Sequence, residues 1–260
     1  MMASGQTAPT PEQRLAERDG PAGGPVLLHM QWRDLLFLHW RVAPERVQAT
    51  LPEGLTVDCF DGAAWLGIVP FHMKGVRPRG CPAVPGMSAF LELNLRTYAV
   101  DRAGRPGVWF YTLETHARVA VFMARTFFHL AYRYARLESR RDGEGTFHYT
   151  CRSRRADGWL PEQAFSWRPA GKAFTAEPGS LDFFLLERYR LFTSPDRRGR
   201  LHTGQVRHSP YPVQAAEAGR CSTRLFSLHG FAEPEGPPDA VHASSGVDVA
   251  AHSLQVLGTG

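Results

Sequence analysis

The sequence predicts an α+β fold that is mostly antiparallel β, and three observations carry this. Strand-like runs recur along the chain, at 35–42, 55–60, 63–73, 90–100, 108–114, 130–138 and 146–154, with more at 163–168, 189–193, 200–207 and 247–257. Short polar links containing glycine separate them, as in 61-DG-62, 101-DRAG-104, 141-RDG-143 and 196-DRRG-199, and links of this length join antiparallel neighbours. Helical signals are few and short.

From the N-terminus, residues 1–25 are rich in Pro, Gly, Ala and charge, with almost nothing to bury, and are expected to be a disordered tail. Residues 26–260 are then expected to form a single domain. A short helix is expected at 44–50, where Pro44 stands at a first-turn position. The run 63-AAWLGIVPFHM-73 is apolar on both faces and reads as a central strand covered on both sides. The Pro-rich connection 77-RPRGCPAVPGM-87 leads into 90-FLELNLRTYAV-100, a strand with Glu92, Asn94, Arg96 and Tyr98 on one side and Leu91, Leu93, Leu95, Thr97 and Ala99 on the other. Further helices are expected at 117–128 and at 180–189, the second capped by Ser180.

Composition narrows the function classes. A 260-residue chain that is 43% hydrophobic has enough apolar material for a substantial core. No apolar run reaches the roughly 20 residues of a membrane helix, and no signal-peptide core is present. Cys59, Cys81, Cys151 and Cys221 are widely separated, with no CxxC pair, which suits reduced thiols and a cytoplasmic location. The formal charge of +5 is carried by scattered arginines, the lysines being Lys74 and Lys172. No basic face interleaved with aromatics appears, so nucleic acid is not an expected partner. HxH and HExxH spacings are absent, as are a GxSxG elbow and a phosphate-cradling glycine loop, so neither metal nor cofactor is expected.

Several long strings share one pattern: 30-MQWRDLLFLHWRV-42, 51-LPEGLTVD-58, 65-WLGIVPFHMKGVRPR-79, 90-FLELNLRTY-98, 107-GVWFYTLE-114 and 187-ERYRLFT-193. In their order and spacing they resemble the YqjF-like family of uncharacterised bacterial proteins, grouped with the acetoacetate-decarboxylase-like superfamily. The resemblance implies a closed or cone-shaped β-barrel with a few short helices. It also implies that Arg33 matches an arginine that helps bind the substrate carboxylate, and that Glu92 falls about where relatives carry a pocket glutamate. Those decarboxylases attack substrate through a lysine of depressed pKa. The matching segment here, 125-RTFFHLAYRYARL-137, has no lysine, and an always-protonated guanidinium is no amine nucleophile.

The resulting expectation is a cofactor-independent pocket protein for a small carboxylate or carbonyl compound. Glu92 and His129 are its acid/base candidates. Arg33, Asn94, Arg96, Arg125 and Tyr132 are its ligand-binding candidates, the arginines pairing an anion. Lyase-like proton transfer without a Schiff base is the expected chemistry, and a non-catalytic ligand-binding or sensing module is the alternative. Exposed sheet edges leave a homo-oligomer open.

Overall fold

The computed structural model describes residues 8–84 and 87–258. The chain runs through α1 (Pro11–Asp19), β1 (Val26–Val42), α2 (Pro44–Gln48), β2 (Leu55–Val57), β3 (Ala64–Pro78), β4 (Phe90–Asp101), β5 (Pro106–Thr115) and α3 (Arg118–Phe127). It continues through β6 (Tyr132–Arg141), β7 (Phe147–Arg155), β8 (Gly158–Trp159), β9 (Gln163–Phe174), α4 (Leu181–Leu186), β10 (Arg190–Phe192) and β11 (His202–Arg207). The last elements are β12 (Val213–Cys221), α5 (Arg224–Ser227), β13 (Ala240–His252) and β14 (Gln255–Val256).

Pairing is mostly antiparallel, with β5 parallel to both β6 and β10. The ladder closes on itself in two ways. A larger ring runs β5–β6–β7–β9–β12–β13–β1–β3–β4 and returns to β5. A smaller ring runs β11–β10–β5–β4–β3–β1–β13 and returns to β11. The rings share β1, β3, β4, β5 and β13, so these strands are covered on both faces and alternate residues enter different interiors. On β3 and β4, Leu66, Ile68, Leu93 and Leu95 join the larger ring's core. Trp65, Val69, Phe71 and Tyr98 join the smaller ring's.

The shared strand β1 changes phase midway. Between Arg33 and Leu38 its register with β3 shifts, and Asp34 takes a positive φ of 53°. Asp is among the few residues that tolerate this region. Opposite the irregularity Gly246 has a φ of +115°, and a Cβ there would lie 1.9 Å from the Trp32 carbonyl oxygen. Side chains before and after the bulge therefore reach the same interior with opposite parity: Trp32 packs there first, then Leu35 and Phe37.

The tail expected over residues 1–25 contains an ordered helix. Residues 1–7 of it, with Pro85 and Gly86 of the Pro-rich connection, lie outside the described residues. Residues 11–19, however, form helix α1, opened by a Thr10–Gln13 capping box. Charge rather than apolar area holds it: Arg14 donates two 2.7 Å hydrogen bonds to Asp58, and Arg190 pairs with Glu17 at 2.8 Å. Compositional reasoning misses this because it weighs hydrophobic content, whereas the anchoring partners stand more than forty residues away. Strand β12 is a second departure. Its sequence VQAAEAGRC has weak strand propensity, but β9 and β13 pair with it on either side.

Candidate functional site

The polar side of β4 faces inward. Glu92, Asn94 and Arg96 are only 2%, 4% and 8% exposed. They line a cavity of about 320 Å³ inside the smaller ring, whose other walls are largely apolar. Trp32 and Leu35 enter from β1, Val69 and Phe71 from β3, Phe110 and Leu113 from β5, and Val206 from β11. Helix α3 closes one side with Val119, Ala120, Met123 and Ala124. Phe128 and Leu130 follow it into the same wall.

Within this wall Tyr132 donates a 2.5 Å hydrogen bond to Glu92 Oε2, and Asn94 Nδ2 approaches Oε1 at 3.5 Å. Burial pushes the Glu92 carboxyl up to about 7, although both neighbours favour the carboxylate. Burial likewise pushes the Tyr132 phenol well above its ordinary range, and the adjoining Glu92 adds to this. Near neutrality the pair thus offers a phenol that keeps its proton beside a carboxyl that exchanges its own.

Two β-residues along, Arg96 Nη2 donates to the Leu185 carbonyl at 3.1 Å and to the Tyr98 hydroxyl at 3.3 Å. Its guanidinium also lies 5.4 Å from the Phe37 ring centroid. These contacts fix the group from behind. Among the described residues no carboxylate pairs with it, and its Nε has no hydrogen-bond partner. Asn94 Oδ1 is likewise buried and unpartnered. A buried donor and a buried acceptor left without partners are costly unless a bound group takes them up.

The other expected residues stand elsewhere. The β1 bulge puts Trp32 in the cavity and turns Arg33 aside, where it donates to Asp248 and, at 2.7 Å, to the Val247 carbonyl oxygen. Arg125 is exposed, because Ala120, Ala124 and Phe128 occupy the helix face toward the cavity. His129 takes a positive φ of 48° after α3 and stacks on His202 at 5.1 Å. Neither lysine lines the cavity: Lys74 and Lys172 are both exposed. The apolar members from α3, β5 and β11 carried no sequence signal beyond hydrophobicity, since only ring closure brings them together. No group of His, Cys, Asp and Glu fit to hold a metal occurs among the described residues. No described helix is long and apolar enough to cross a membrane.

Comparison with known proteins gives a family, a relative and several solved structures. The family DUF2071, described as an uncharacterized conserved protein, matches residues 29–248. The uncharacterized protein YqjF of Bacillus subtilis (strain 168) is 40% identical over 214 residues, covering 82% of this chain and 85% of that one. Among solved structures, the enduracididine biosynthesis enzyme MppR complexed with pyruvate superposes with a TM-score of 0.62 at 16% identity, over 92% of this chain and 93% of that one. Acetoacetate decarboxylase from Legionella pneumophila superposes with a TM-score of 0.59 at 10% identity, over 98% of both chains. At such identities the structural likeness establishes an acetoacetate-decarboxylase-like fold.

Proposed function

The chain belongs to the DUF2071 family, and on that premise we propose that the Glu92 cavity takes up a small carboxylate or carbonyl compound with an apolar body. The observation that carries this reading is the Arg96 guanidinium, buried on the cavity wall without a carboxylate partner and with Nε open. It supplies the charge that an anionic end needs, Asn94 Oδ1 supplies an acceptor, and the apolar walls take the remainder. MppR, of the same fold, is described as complexed with pyruvate, which makes pyruvate a natural probe.

Glu92 is the acid/base group of this reading. A carboxyl poised near 7 both accepts and returns a proton at neutral pH, which suits proton abstraction beside a carbonyl without a cofactor. Tyr132 orients it. No step passes through a Schiff base, since among the described residues no amine lines the cavity. Arg33, Arg125 and His129 take no part. The four cysteines are free, and we place the protein in the cytoplasm on that ground.

Calorimetric titration with pyruvate should show saturable binding that Arg96→Met removes. In D₂O the protein should speed exchange of the pyruvate methyl protons, and Glu92→Gln should cut this by about 10²–10⁴-fold while keeping affinity. Borohydride treatment in the presence of pyruvate should leave the protein mass unchanged. Saturable binding without exchange would favour the second reading, a non-catalytic binding module. The tight seating of Glu92 between Tyr132 and Asn94 favours that reading as much as it favours catalysis. Absence of binding would end both.

A further inference from the structure

The bulge that turns Arg33 from the cavity also delivers Asp34 to a different group. Asp34 Oδ2 lies 2.8 Å from His72 Nδ1, and His72 Nε2 lies 2.9 Å from Ser139 Oγ. The three come from β1, β3 and β6 and span one end of the larger ring, on the opposite face of β3 from the Glu92 cavity. A carboxylate only accepts, so the proton sits on Nδ1, and Nε2 of the neutral ring is left to accept from the serine hydroxyl. The imidazole ring lies 6.4 Å from those of Tyr149 and Phe147, at interplanar angles of 29° and 58°. All three line one cleft of about 500 Å³, with the His72 and Asp34 side chains 16% and 30% exposed.

We propose that Ser139, His72 and Asp34 form a nucleophilic acyl-transfer site for small anionic esters, independent of the Glu92 cavity. No strand–turn–helix elbow carries the serine; spatial convergence of strands replaces it, and such a triad is defined by geometry and roles rather than by chain order. The anionic preference comes from Lys74, Arg140 and Arg141, which line the same cleft. Asp34 itself is held below the usual carboxylate range, first by its hydrogen bond to His72. Its left-handed backbone is the kind of strain that collects at functional sites.

The chemistry balances with water as co-reactant. Ser139 Oγ attacks the ester carbonyl carbon and passes its proton to His72 Nε2, while Asp34 stabilises the imidazolium. The tetrahedral adduct collapses, the carbon–alkoxy bond breaks, and the alcohol leaves with the proton from His72. Water, deprotonated by His72, then cleaves the acyl-serine to the acid and restores the hydroxyl. Lys74, which lines the same cleft, is the donor available to the oxyanion.

The test uses diisopropyl fluorophosphate on the full chain, with peptide mass mapping, and hydrolysis of 4-nitrophenyl hemisuccinate. The expected result is one adduct on Ser139, formed as the serine oxygen displaces fluoride. His72→Gln and Asp34→Asn, each checked for an unchanged thermal midpoint, should slow its formation at least 100-fold. Asn tolerates the positive φ of position 34, so that variant keeps the backbone. Ser139→Ala should abolish burst hydrolysis while pyruvate binding persists. No adduct on Ser139, or labelling of Ser139 at the same rate in both variants, overturns the proposal.

Discussion

The two rings share a wall and fill their interiors differently. On β4, Leu93 and Leu95 enter a packed core with Trp167, Phe147 and Tyr149, whereas Glu92 and Asn94, one residue away, enter a cavity. The same backbone thus serves a solid barrel on one face and a hollow one on the other. The difference teaches that a strand buried on both sides need not be apolar on both sides: one face supplies stability and frees the other for polar groups that cost it.

Truncation is the strongest way to break this contrast. Leu95→Ala should destabilise by about 2–5 kcal/mol, because the dense surroundings do not collapse into the void. Leu113→Ala, on the cavity wall, should sit at the low end of that range, since the removed atoms already lacked partners on one side. Chemical denaturation compares the two, and equal costs would mean that the interiors are packed alike.

Next comes pH. The Glu92 carboxyl rises from 4.5 to about 7 on folding, so between those values the native state holds more proton than the unfolded chain. Its contribution to stability is therefore present below pH 4.5 and is lost as pH rises toward 7, amounting to on the order of 3 kcal/mol. Glu92→Gln should flatten this part of the stability profile and stabilise the protein at pH 8. A profile of unchanged slope would place the carboxyl in water.

Enlargement gives the smallest effect. Ile68→Phe forces a ring into the packed side and should cost about 1–3 kcal/mol. Val69→Phe points into the cavity and should cost less, while weakening pyruvate binding. Loss of binding with retained stability sharpens the contrast most.

How far the sequence foretold these regions depends on the range of the interactions. Alternation at 90–100 was legible because it is local, and the inward direction of Glu92, Asn94 and Arg96 followed once the superfamily resemblance implied a closed barrel. Arg33 was assigned to the ligand on the same resemblance, yet a single bulge reverses side-chain parity along β1, and no residue pattern announces a bulge at Arg33–Asp34. His129 fails for a similar reason, its left-handed backbone turning the ring toward His202. Helix α1 and the Ser139–His72–Asp34 line were illegible because each joins residues far apart in the sequence that only tertiary packing brings together.

The most direct measurement is a crystal structure of the protein soaked in pyruvate. Density is expected inside the smaller ring, with the carboxylate within hydrogen-bonding distance of the Arg96 guanidinium and the methyl end toward Glu92, and none in the core of the larger ring. A cavity collapsed around Glu92, or pyruvate bound only outside the rings, would contradict it.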